Sequence, residues 1–117
     1  MANSASFMVK IEASPELVGE LKSIIDENPE LMKLESSGPA GEPSHLRLGL
    51  EEVYTLIAIL NGAATFGKLA YGIYKNLSKN KTQRMTLQTP LRTVEILGSD
   101  AISVDRISEL LESSLRV

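Results

Sequence analysis

Cysteine is absent from this 117-residue chain. That absence removes disulfides, thiolate nucleophiles and Cys-rich zinc sites together, and it fits a reducing compartment. Histidine is nearly as scarce, since His45 is the only one. It sits in a Gly/Pro-rich stretch near Glu42 and Ser44, with no carboxylate spacing that would complete a metal site. It reads as a solvated loop side chain. The opening residues, Met1 to Ser6, lack the basic region and apolar stretch of a secretion leader. A cytoplasmic location is therefore expected, and the two N-x-[ST] sequons at Asn76 and Asn80 read as accidental matches.

Acidic residues are missing from one region: between Lys68 and Val94 there is none. Residues 1–52 carry ten acids and four bases, whereas residues 53–98 carry six bases and the single acid Glu95. The formal net charge is −3. A net acidic chain with only modest basic density disfavours nucleic acid as a partner. Adjacent acids, Asp26-Glu27 and Glu51-Glu52, point about 100° apart on a helix and make no convergent acid/base pair. No catalytic residue, metal ligand or cofactor site is identified, and the chain reads as a non-enzyme.

What is present is an ordinary globular composition, 43% apolar and 23% charged. The length suits one domain over residues 1–117 with its own core. Phe7, Val9, Ile11 and Ala13 alternate with Met8, Lys10 and Glu12, the period of a strand with one buried face. Ser14-Pro15 then starts a helix, with Ser14 as the cap and proline where its missing N–H costs nothing. Leu17, Val18, Leu21, Ile24 and Ile25 form its apolar face, and Asn28-Pro29 ends it. Residues 31–36 read as a second strand or one more helical turn, with the strand preferred, and residues 36–46 as a flexible Gly/Pro/Ser loop. Residues 82–89 and 91–97 read as a hairpin around Pro90, because proline in one continuous central strand would remove a ladder donor. Gly98-Ser99-Asp100 is a turn, and Ser103 caps a last helix bearing Val104, Ile107, Leu110, Leu111 and Leu115.

Between these lies a long apolar segment from Gly49 to Leu77. On a 3.6-residue period it reads as one helix, acid-tipped at Glu51 and Glu52 and basic at Lys75 and Lys79. Leu56, Ile59, Ala63, Phe66, Ala70, Ile73 and Leu77 form one stripe. Val53, Ile57, Leu60, Ala64, Gly67, Tyr71 and Tyr74 form its neighbour. A helix apolar on two sides needs two covers. The fold expected is α+β in two layers, β-α-(β)-α-β-β-α, with this helix packed on one face of a small sheet. The second cover is a protein partner, a second copy or a membrane. A span is disfavoured, because the longest charge-free run is Val53 to Gly67 and about 20 apolar residues are needed. A membrane contact through residues 53–74 stays open as the third option. The partner-binding candidates are Ile57, Leu60, Phe66, Lys68, Tyr71, Tyr74 and Lys75.

Gly62-Ala63-Ala64-Thr65-Phe66-Gly67-Lys68 matches the pattern G-x-x-x-x-G-K. A phosphate loop also needs Ser or Thr next, to hold Mg²⁺, and Leu69 stands there. The helix reading adds a second objection, since its amides would already be bonded.

The order of elements and their texture resemble the effector-associated constant component family of prokaryotic conflict systems. The resemblance rests on four features: the opening strand and helix from Phe7 to Asn28, the Gly38-Pro39-Ala40-Gly41 loop, the long, small-residue-rich helix from Gly49 to Leu77, and the ending. That ending runs from Met85 through Pro90 to Ile96, then Asp100 and the helix Asp105 to Leu115. It implies a non-enzymatic adaptor beside an effector such as a caspase-like or trypsin-like peptidase. A homo-oligomeric module, burying the Leu56/Phe66 or Ile57/Tyr71 stripe against itself, is the alternative.

Overall fold

The computed structural model describes residues 6–39 and 53–116. The described elements are β1 (Ser6–Ala13), α1 (Pro15–Glu27), β2 (Met32–Pro39), β3 (Tyr54–Asn61), α2 (Thr65–Leu77), β4 (Arg84–Gln88), β5 (Thr93–Leu97) and α3 (Val104–Ser113). A short 3₁₀ turn, Gly98–Asp100, links β5 to α3. The strands make one sheet in the order β2-β3-β1-β4-β5, and every neighbouring pair is antiparallel. β1-α1-β2 with β3 inserted between its two strands, followed by α2 and β4, is the split-βαβ arrangement. β5 and α3 extend it at one edge. The α+β, two-layer expectation therefore holds.

Local chemistry explains most elements. The Ser14 hydroxyl accepts from the Leu17 amide at 3.2 Å, and Ser103 accepts from Arg106 at 3.0 Å, so both expected caps form. On β1, Val9, Ile11 and Ala13 are buried and Phe7 is half-buried. Leu17, Val18, Leu21 and Ile25 are the buried face of α1. The hairpin turn falls around Pro90, and Met85, Leu87 and Ile96 face the core.

The structure corrects the reading of the long apolar segment. It is not one helix: Tyr54–Asn61 is strand β3, and only Thr65–Leu77 is helix. β3 lies between β2 and β1, so its backbone is hydrogen-bonded on both sides. Leu56, Ala58 and Leu60 enter the core, while Ile57 and Ile59 stand half-buried on the other face. The chain breaks at Gly62, whose φ of +103° is left-handed territory that glycine enters without strain. The helical stripes drawn across residues 53–77 therefore dissolve. Leu56 and Phe66 both belong to the internal core, and Ile57 and Tyr71 lie on different layers.

The strand expected at 31–36 is present and runs on to Pro39, with a bulge between Leu34 and Ser36. Residues 36–39, expected as the start of a loop, are thus sheet. Residues 40–46 of that loop, with His45, lie outside the described residues, as do Gly49, Glu51 and Glu52.

The core sits between the sheet and the helices. α2 lies in the middle of the helical layer, with α1 on one side and α3 on the other. Phe66, Leu69, Ala70, Ile73 and Leu77 of α2 are fully buried there. Gly72 lets α1 approach: a Cβ at this position would stand 2.6 Å from Ile24 Cδ1. The opposite face of the sheet carries no element among the described residues, as antiparallel sheets permit.

Candidate functional site

Among the described residues, two surfaces remain once the core is assigned. The first is the outer side of α2. Its residues at helical spacing are Ala64, Lys68, Tyr71 and Lys75, which fall on one face because residues three and four apart are neighbours. Tyr71 is 55% exposed, a large share for an aromatic side chain. Lys75 Nζ lies 5.2 Å from the centre of its ring and 3.1 Å from a carboxylate oxygen of Glu20 on α1. The ammonium thus bridges the ring face and an acid, which holds both Lys75 and Tyr71 in place. Lys68 is exposed one turn earlier. Ala63, Ala64 and Gly67 are exposed beside it and leave the approach to Tyr71 and Lys68 flat.

Of the seven partner-binding candidates, the structure brings together Lys68, Tyr71 and Lys75. It does not bring the others. Leu60 and Phe66 are completely buried, and the Phe66 ring lies 5.8 Å from that of Phe7, tilted by 59° to it. Tyr74 is half-buried and packs against the core. Ile57 faces away, on the far side of the sheet. A single surface containing all seven does not exist, because a strand places alternate residues on opposite faces and a helix does not.

The second surface is the open sheet face. Met8 of β1 is directly paired with Ile59 of β3, and Lys10 with Ile57. Three ion pairs lie on the same sheet: Lys10–Glu12 at 3.6 Å, Lys33–Glu35 at 3.9 Å and Arg84–Glu95 at 3.2 Å. Lys10, Glu12, Thr86, Gln88 and Thr93 outline a depression of about 200 Å³. Closed small-molecule pockets run to roughly 300–1,000 Å³ and are mostly apolar. This depression is smaller, and its lining residues are all polar or charged. Sequence reasoning missed the face, although Tyr54 to Asn61 is rich in the β-branched and aromatic residues that mark a strand.

The G-x-x-x-x-G-K look-alike needs a second correction. It does follow a strand and open a helix, so the objection that it lies inside a helix fails. Two others hold. Leu69 occupies the Mg²⁺-ligand position and is buried. The amides of Thr65, Phe66 and Gly67 donate to the carbonyls of Gly62, Ala63 and Ala64 at 3.2, 3.0 and 3.1 Å. The turn is closed on itself instead of cradling an anion.

Among the described residues no group of three His, Asp or Glu side chains converges as a metal site. No described helix is long and apolar enough to cross a membrane. Comparison with protein-family models, with curated proteins and with solved structures finds no match to this chain.

Proposed function

We propose that this chain is a non-catalytic interaction module, an adaptor for an effector enzyme in a bacterial defence system. The observation that carries the interaction reading is Tyr71. Tyrosine is among the residues that dominate binding energy at interfaces, with a broad apolar ring and a polar tip. Here it is braced by Lys75 and Glu20 and flanked by Lys68. The partner this face suits is an acidic protein surface with an apolar recess for the ring.

The effector, a caspase-like or trypsin-like peptidase encoded alongside, comes from the family resemblance.

Co-expression with the neighbouring peptidase and titration of the purified pair test the proposal. A 1:1 or 2:2 complex is expected, weakened at least about tenfold by Tyr71→Ala and by Lys68→Glu. A peptidase that does not bind the chain would sink the effector assignment. Binding that ignores both substitutions would sink the assignment to α2.

A further inference from the structure

The outer surface of α1 and α2 carries charges of both signs, in an order that complements itself. Each helix follows its strand directly, and β1 and β3 are antiparallel, so the two helices run in opposite directions. Their relative level is fixed where they touch. A Cβ on Gly72 would stand 2.6 Å from Ile24 Cδ1 and 3.2 Å from Glu20 Cγ, and Lys75 meets Glu20 at 3.1 Å. Lys68, one turn before Gly72, is therefore level with Asp26, and Lys75 lies toward the Glu16 end of α1.

Opposite the buried face of α1 stand Glu16, Gly19, Ser23 and Asp26, at helical spacing and all exposed. The outer row of α2 is Lys68, Tyr71 and Lys75. Read in opposite directions, one row runs acid, small, small, acid and the other base, tyrosine, base. Within one molecule the rows lie side by side. Among the described residues, Glu16, Asp26 and Lys68 make no ion pair. Gly19 weakens the middle of an exposed helix, and nothing lies within 4 Å of where its Cβ would stand. No packing inside the described molecule calls for a glycine there.

We infer that a second copy of the chain docks on this face, in an isologous dimer whose two-fold axis runs parallel to α1 and α2, midway between them. That axis keeps every residue at its level and lays α1 of each copy over α2 of the other. Lys68 then meets Asp26 of the other copy, and Lys75 meets its Glu16. The Tyr71 ring lies over Ser23 and Gly19, whose small side chains leave it room. Symmetry makes each contact twice. The inference rests on the reading of Tyr71 as the centre of a docking face for an acidic surface: α1 of a second copy supplies such a surface. Self-association and capture of the effector then compete for one face.

Size sets the strength. Both helices hold 13 residues. At about 1.5 Å per residue and about 10 Å between axes they present roughly 400 Å². The two copies together bury on the order of 800 Å², below the range of stable complexes. The dimer is thus weak and exchanging, as a face that must open for a partner requires.

Sedimentation equilibrium of the full chain, from about 1 to 500 µM, tests it. In about 0.1 M salt the mass should rise toward twice that of the monomer. The rise should shrink in about 1 M salt, where the screening length falls from about 10 to 3 Å. Lys68→Glu and Asp26→Lys should each weaken association at least about tenfold, because each sets like charges together in both halves. The circular dichroism spectrum should stay unchanged. Mixing the two variants should restore association, since every contact in the mixed pair again joins opposite charges. A wild-type chain that is monomeric at every concentration overturns the inference. So do single variants that associate like the wild type, or a mixture that does not recover. Titration with the effector reads the other proposal separately: a monomeric chain that still binds it through Tyr71 removes the dimer alone, and a dimer that never binds it removes the effector alone.

Discussion

The Thr89 hydroxyl donates to the backbone carbonyl of Ser114 at 2.6 Å, and both residues are buried. This one contact ties the β4–β5 hairpin to the C-terminal end of α3. The same oxygen accepts from the amides of Leu91 at 3.2 Å and Arg92 at 3.3 Å. Thr89→Val keeps the shape but strands these partners. Leaving a buried polar group unpaired costs about 1–3 kcal/mol. Chemical denaturation should show a loss of that size, with hydrogen exchange accelerating in the hairpin and in α3 together. A loss below about 0.5 kcal/mol would mean the contact is not formed.

Two glycines make a graded pair. A Cβ on Gly98 would overlap the carbonyl oxygen of Asn80 and the backbone of Lys81. Backbone cannot swing aside, so Gly98→Ala should cost about 2–4 kcal/mol. At Gly72 the nearest atom is Ile24 Cδ1, the far end of a side chain. Rotation of Ile24, and a gain of about 1 kcal/mol in helix propensity, offset the clash. Gly72→Ala should cost less than Gly98→Ala by at least about 1 kcal/mol. Thermal unfolding of the two variants ranks them.

Phe66 and Tyr71, one from each of the two neighbouring apolar stripes, should behave oppositely on mutation. Phe66 is fully buried, so Phe66→Ala should destabilise by about 3–5 kcal/mol. Tyr71→Ala should change stability by less than about 1 kcal/mol, since exposed pairs and ring contacts contribute little. If Tyr71→Ala unfolds the protein, the ring is structural and its assignment to a partner surface is wrong.

Nucleotide should not bind. With the amides of the turn bonded to local carbonyls and Leu69 at the metal position, millimolar Mg-ATP should leave the melting temperature unchanged, and Lys68→Ala should behave as wild type in that assay. A ligand present at about 100 times its Kd would add roughly 2.7 kcal/mol. An upward shift that Lys68→Ala abolishes would restore the phosphate-loop reading.

Local patterns determined much of this protein from sequence alone. Alternation set the buried face of β1, because Val9, Ile11 and Ala13 share one side of a pleated strand wherever it is placed. Ser14-Pro15 and Ser103 set two helix starts, because a cap satisfies amides only a few residues away. Pro90 set the hairpin, because its missing N–H belongs in a turn. The absence of cysteine removed whole classes of chemistry before any fold was considered.

Only the tertiary structure decided the segment from Val53 to Leu77. Tyr54 to Asn61 is apolar at both odd and even positions, so it shows no strand alternation, and a short apolar run fits a buried helix as well. It became a strand because β1 and β2 hydrogen-bond to it from both sides, contacts between residues far apart in sequence. Gly62 then turned the chain, and Thr65 to Leu77 became the helix that covers the sheet. That outcome sorted the candidate residues: Leu60 and Phe66 went into the core, Ile57 to the open sheet face, and Lys68, Tyr71 and Lys75 to solvent. A side chain's address depends on which element carries it, and here long-range pairing chose the element.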